Sequence, residues 1–265
     1  MGRVVPQRYP ELARDAMEGA LPGSSAHGEN PKFMTALADA NIVHHVIVKF
    51  SPLLPTPVGQ RWSDLLGAEH LAHEALCGAA VNAAVPRVHG FSDRTYLEVE
   101  RFDRVGREGR SGVTSLLAID AFHYAQLDHW SDSAARLHRD GRIDDQTLAT
   151  VQLVATFGSL IANTDQHFGS LSFFDQYDGR FSFARIDDML PMLFAPQLDQ
   201  VSDRAFARPG PTSQTLRVHG RAHELAQRFW MKCASDERIS RELRRICAAC
   251  AESLQALPRS AFRRT

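Results

Sequence analysis

No apolar run in the 265-residue chain reaches the ~18–20 residues that a membrane-spanning helix needs. Nor does Met1 to Leu12 show the charged-then-apolar pattern of a secretory leader. Cysteine is scarce: four residues do not make a disulfide scaffold, and they point to a reducing cytoplasm. Lysine is scarcer still, with only Lys32, Lys49 and Lys232 among 30 basic residues. An arginine-biased genome explains the arginines. It does not explain why three positions kept a lysine.

Net charge is also nearly absent, at −1, but the balance hides an asymmetry. Residues 1–203 carry a net −9 and residues 204–265 a net +8. A basic C-terminal segment can contact nucleic acid. The more economical expectation is solvated helix faces packed against an acidic remainder, so direct nucleic-acid contact is not expected. Hydrophobic residues make up 44% and charged residues 23%, enough for one large domain or two lobes.

The chain shows neither an internal repeat nor a low-complexity segment. Residues 20–32 are rich in Gly, Pro, Ser and Asn and read as a loop. Residues 33–38 and 42–50 flank Asp39-Ala40-Asn41 and predict a hairpin. In its second strand Val46, Val48 and Phe50 share one face, and Ile47 and Lys49 share the other. After the break at 52–57, residues 62–80 have helical periodicity, and 96–102 read as a strand. Asp144 or Asp145 caps a helix through Ile161. Residues 172–186 predict a short hairpin turning at Asp178-Gly179. From about 211 the chain is helical. Strands and one long helix followed by helices around a small hairpin predict an α+β fold with two lobes, divided as 1–101 and 102–265.

Four segments carry more polar information than packing requires. Asn163 to Ser170 follows an apolar helix; Asp165 can accept a proton there, with Asn163 and His167 holding the loop, although Asn, Thr and Asp also serve as caps and turns. Asp187-Asp188 can supply a carboxylate to Mg²⁺, a hard cation that bridges phosphates; aspartate pairs are also common in solvated turns. The loop Ser24 to Lys32 lets backbone N–H groups approach a phosphate, without matching a P-loop. Lys49 is a lone ammonium in an apolar strand and needs an anionic partner, for which Glu69 is the candidate. Their order is that of the parts of a protein kinase.

These residues resemble the HipA family of bacterial toxin kinases. Asn163 to Ser172 is similar to the family's N-x-D-x-H-x-[KG]-N-x-S catalytic loop, and Glu100 to Arg104 to its ERFDR hinge. Gly28 to Lys32 is similar to its G-x-x-PK loop, Val46 to Lys49 to its strand lysine, and Asp187 to Met192 to YDMLPM of the YjjJ-like, shorter branch. The resemblance implies a kinase-like fold, with a small N-lobe of sheet and one helix and a larger, mainly helical C-lobe. It implies ATP and Mg²⁺ as cofactors: Lys49, Glu69, Lys32, Gly28, Glu100 and Phe102 for ATP, Asp165 as base with Asn163 and His167, and Asp188 and Ser170 for the metal. Ser24 and Ser25 fall where family members autophosphorylate. Its expected partners are a HipB-like helix-turn-helix antitoxin, a small HipS-like protein matching the N-terminal subdomain for which 23 residues before Ser24 are too few, and an aminoacyl-tRNA synthetase as the protein phosphorylated on serine.

Three departures stand out. Ser170 takes the place of a metal-binding Asn, Asp187 that of a tyrosine, and His27 that of a loop glycine. They leave a pseudokinase-like nucleotide- or antitoxin-binding module as the alternative, and a small-molecule kinase behind it. Cys247 and Cys250 on an apparent helix read as buried cysteines rather than a zinc or redox pair. His70 and His73 could share a metal, but an exposed helix face is expected. Trp62, Trp130 and Trp230 read as packing residues.

Overall fold

The computed structural model describes residues 5–20, 31–39, 42–91, 93–176, 178–202 and 204–255. Its N-terminal part is an antiparallel sheet in the order β1-β2-β4-β3, built from β1 (Lys32–Asp39), β2 (Ile42–Phe50), β3 (Arg87–Phe91) and β4 (Arg94–Glu100). The predicted alternation in β2 is present: Val46, Val48 and Phe50 join Phe33 and Tyr96 in one buried cluster, which leaves Lys49 on the opposite face. A short helix not anticipated from the sequence, α1 (Tyr9–Met17), seals that cluster. Tyr9 donates its hydroxyl to Glu98 Oε2 at 2.7 Å, so the buried Glu98 carboxylate is satisfied, together with His89 at 2.9 Å and Arg87 at 3.1 Å.

The long helix, α2 (Pro57–Gly78), starts five residues before the predicted Trp62. The physical reason is its cap. Thr56 accepts the Gly59 N–H at 3.0 Å, and Pro57 occupies the first turn, where its missing N–H costs nothing. The helix is buried on nearly every side because it lies between the sheet and the C-terminal helices. Two buried side chains tie its first half to the far part of the chain. Arg61 donates to Phe194 O at 3.1 Å and to Glu242 Oε1 at 2.5 Å; Asp64 accepts from Ser240 N at 2.8 Å.

The C-terminal part holds α3 (Leu116–His123), α4 (Trp130–Arg139), α5 (Asp145–Leu160), α6 (Leu216–Ser235) and α7 (Arg241–Gln255). Asp144 caps α5, as predicted, by accepting from Thr147 N at 2.8 Å. The predicted hairpin is present as strands Leu171–Gln176 and Arg180–Ile186, with Gly179 at φ +79°. A third strand, Val113–Ser115, joins it and was not foreseen. With the two-residue strands Arg104–Val105 and Gly109–Arg110 counted, these are β5 to β9 in chain order, and the late sheet runs β7-β8-β9.

Trp130 and Trp230 are buried in the main core, and Trp62 packs with Leu190 and Met192. Cys247 and Cys250 are buried on α7, as expected. His73 corrects the exposed-face expectation, since it is fully buried on α2. The arrangement is the two-lobed α+β fold that the sequence predicts. The basic C-terminal segment packs as expected: Lys232 on α6 meets Glu74 on α2 at 2.6 Å. Among the described residues no helix is long and apolar enough to cross a membrane.

Candidate active site

A cavity of about 360 Å³ opens between the first sheet and the β8–β9 hairpin. One wall is cationic. Lys49 is buried and donates from Nζ to Glu69 Oε1 at 2.6 Å and to Asp188 Oδ1. Burial works against the ammonium, but the Asp188 and Glu69 carboxylates outweigh it and raise its pKa. Asp188 is held down to about 2, first by the Lys49 charge and against the opposing effect of burial. Lys32, at the start of β1, is the cross-strand partner of Lys49 and shares its face. Two lysines directly opposite each other repel unless they share an anion. Lys32 is exposed and lines the cavity mouth.

Three details around this wall escaped sequence reasoning. His73, one helical turn after Glu69, has neither ring nitrogen hydrogen-bonded, and its Nε2 lies 3.8 Å from Glu69 Oε1. Burial raises the Asp187 pKa, with Arg185 opposing. Arg185 itself lines the cavity and meets Asp187 at 3.1 Å. The signal for Arg185 was available in the strand alternation, which places it on the same side as Phe183 and Asp187.

At the opposite end lie Glu100 and Phe102. The Glu100 side chain pairs with His44 at 2.8 Å, and its main-chain oxygen accepts from Arg185 Nη2 at 2.6 Å. The sequence Arg101-Phe102-Asp103-Arg104 folds into a local ion-pair knot: Arg101 grips Asp103 with two bonds of 2.9 and 2.7 Å, and Arg104 adds a third at 2.9 Å.

The loop after α5 approaches from the other side. Ala162 turns the chain at φ +61° and Asp188 does so at φ +54°, a conformation that Asp tolerates better than most residues. Asn163 links the two turns. Its Oδ1 accepts from Asp165 N at 3.0 Å, and its Nδ2 donates to Asp188 O at 3.4 Å. Gly158 leaves room for the Gln166 side chain, whose Nε2 a Cβ there would meet at 2.9 Å. The His167 carbonyl accepts from Trp130 Nε1 at 3.2 Å, and Ser170 Oγ bonds the His167 ring at 3.0 Å. The Asp165 carboxylate is exposed and has no hydrogen bond or ion pair among the described residues.

The structure therefore brings Lys32, Lys49, Glu69, Glu100, Phe102, Ser170 and Asp188 around one cavity. It sets Asp165 and His167 on the adjoining exposed loop, outside the cavity lining, with Asn163 as the buried link. Ser24, Ser25 and Gly28 lie outside the described residues. Asp188 and Ser170 both line the cavity with oxygen donors, the donor chemistry that Mg²⁺ takes. Among the described residues no cluster of three or more His, Cys, Asp or Glu is placed to hold a metal ion.

Comparison with known proteins adds three findings. Residues 24–257 match the family model of the HipA-like C-terminal domain. Toxin YjjJ of Escherichia coli K12 is 36% identical over 251 residues, 94% of this chain; the chain spans 56% of that relative's length. Among solved structures, HipA of the Shewanella oneidensis MR-1 toxin–antitoxin system, in complex with HipB and operator DNA, superposes with a TM-score of 0.60 at 15% identity, covering 96% of this chain and 72% of that one. The Helicobacter pylori proinflammatory kinase CtkA gives 0.58 at 12% identity, covering 89% and 90%. At these identities the two structures speak for the fold, which is kinase-like.

Proposed function

The chain belongs to the HipA-like C-terminal domain family, and from that premise we propose that it is an ATP- and Mg²⁺-dependent serine/threonine protein kinase of the toxin type. The observation that carries the reading is the Lys49–Glu69–Asp188 cluster, with Lys32 opposite, on the wall of a cavity bounded at its other end by the Glu100–Phe102 main chain. Two lysines facing one space attract polyphosphate, and a hinge main chain suits a planar base.

In this reading residues 1–101 form the N-lobe and 102–265 the C-lobe. Lys49 and Lys32 bind phosphate oxygens, with Gly28 in the covering loop, and Glu69 keeps Lys49 in place. Asp188 and Ser170 would hold Mg²⁺, which supplies charge neutralisation on the phosphates. Asp165 takes the proton of the substrate hydroxyl. Its oxygen attacks the γ-phosphorus, the new O–P bond forms, the bond to the bridging oxygen breaks, and ADP leaves. An exposed carboxylate with free lone pairs suits that role, and Asn163 and His167 fix its loop. Ser24 and Ser25 are the proposed autophosphorylation sites. An aminoacyl-tRNA synthetase is the proposed target in the bacterial cytoplasm. A HipB-like antitoxin is the proposed partner, supported by the HipB-bound assembly of the Shewanella relative. A small HipS-like protein is a further partner.

One observation favours a second reading. The Ser170 hydroxyl is already engaged by His167, which suits a nucleotide- or antitoxin-binding module with weak transfer. One assay separates the two: purified protein with γ-labelled ATP and Mg²⁺, beside Asp165→Ala. Label on Ser24, Ser25 or a synthetase in the wild type alone is the expected result. Retained ATP binding with no label in the wild type refutes the kinase and leaves the binder.

A further inference from the structure

At the hinge end of the cavity one side chain occupies a place that phosphoryl transfer does not need. Arg185, on β9, donates from Nη2 to the Glu100 main-chain oxygen at 2.6 Å. Its Cζ lies 4.6 Å from the centroid of the Phe102 ring. The same Nη2 meets Asp187 Oδ1, just past the end of β9, at 3.1 Å. The side chain is 12% exposed, and its Nε is buried without a hydrogen-bond partner among the described residues. A guanidinium therefore stacks on the ring that would flank a base, holds the carbonyl that would receive a purine's 6-amino group, and keeps donors to spare.

The chemistry of those donors is selective. A 6-amino group is itself a donor, so it gains nothing from Arg185 and must share the Glu100 oxygen with a charge-assisted bond that already uses one of its two lone pairs, beside a positive charge that repels a second donor. A 6-oxo purine presents O6 and N7, two acceptors that guanidinium N–H groups pair with directly. Asp187 neutralises the guanidinium and holds it on this side of the strand.

We propose that Arg185, positioned by Asp187, sets base selection in this cavity: it removes the advantage of a 6-amino purine and creates one for a 6-oxo purine, so that the site takes guanosine triphosphate on a par with adenosine triphosphate. The proposal rests on the nucleotide-site reading above and names which nucleotides that site accepts.

The experiment measures calorimetric binding of ATP, GTP and purine riboside triphosphate, each with Mg²⁺, to the wild-type chain and to Arg185→Ala. One hydrogen bond of this kind is worth about tenfold in a dissociation constant. Freeing the Glu100 oxygen is therefore expected to raise the preference for ATP over GTP by about tenfold, and a rise below about fivefold, or a fall, overturns the proposal. The ligand series gives a second criterion that needs no variant. Wild type should bind ATP and purine riboside triphosphate within about threefold of each other, and a larger advantage for ATP overturns the role of Arg185 even if the variant misfolds. Binding with unmoved ratios removes Arg185 alone. Failure of the wild type to bind any of the three nucleotides removes the nucleotide site and this proposal with it.

Discussion

The two sides of the cleft are built on opposite plans. On the Lys49 side the buried charges are already matched: the ammonium sits between two carboxylates, Glu69 is fully buried, and α2 is pinned to the C-terminal helices through Arg61 and Asp64. On the Asp165 side the backbone is fixed but the carboxylate proposed as the base is bare. Asn163 and Trp130 hold the loop, and among the described residues nothing holds the Asp165 oxygens. A group that binds phosphate by charge gains from being fixed in a low-dielectric wall. A group that must accept a proton needs a free lone pair and access for the incoming hydroxyl. The contrast separates groups that stabilise the fold from groups that only do chemistry.

The largest expected effect breaks the first side. Lys49→Met leaves Glu69 buried without its cation, a change worth about 3–5 kcal/mol of stability. For a chain of this size that lowers the melting temperature by roughly 10 °C. Asp165→Ala, removing an exposed and unpaired carboxylate, should stay within about 0.5 kcal/mol of wild type. Scanning calorimetry of both variants checks the contrast. Equal melting temperatures for the two would mean that the Lys49 wall is no more built into the fold than the loop is.

A middle-sized effect sharpens the boundary between the two sides. Asn163 is buried and belongs to both, since it accepts from the Asp165 backbone and donates to the Asp188 backbone. Asn163→Ala orphans the Asp165 N–H and should cost about 1–3 kcal/mol. It should also slow any phosphate transfer more than it weakens nucleotide binding. Denaturant unfolding and a KM-against-kcat comparison read the two parts. A variant that loses only nucleotide affinity would place Asn163 wholly on the Lys49 side.

How far the sequence exposed this plan differs between the two sides. Lys49 was legible because an ammonium in an apolar strand demands a partner, and period-two alternation placed it on the face opposite Val46 and Val48. The Asp144 cap and the Gly179 turn were legible for similarly local reasons. What escaped depends on distant packing. The start of α2 was misplaced because the three prolines of 52–57 read as a break, whereas Pro57 sits where a helix tolerates it. His73 looked like part of a polar helix face, and only the placement of α2 between sheet and helices shows that no such face exists. For Arg185 the strand alternation gave the face but not the contact, because its partner oxygen belongs to Glu100, 85 residues earlier in the chain.

The smallest expected effect asks whether the loop's outer support is electrostatic, as the Lys49 wall is. Trp130, which anchors the His167 carbonyl, begins α4. Arg136 on the same helix grips Asp128 with two bonds of 2.7 Å and reaches the buried Asp120 at 3.1 Å. Those bonds hold the Asp128 pKa down to about 2, with partial burial opposing them. A carboxylate whose folded pKa is depressed lends stability that is fully present above its unfolded value of about 3.9 and disappears as pH falls through its folded value. Wild type should therefore be more stable than Asp128→Asn at neutral pH, and the difference should shrink as pH falls from about 4 toward 2. Thermal melts of the pair across that window measure the difference alone and cancel the protonation of the other carboxylates. A difference that stays constant with pH would show that α4 holds the loop by packing around Trp130, and that ionic pinning is confined to the Lys49 side.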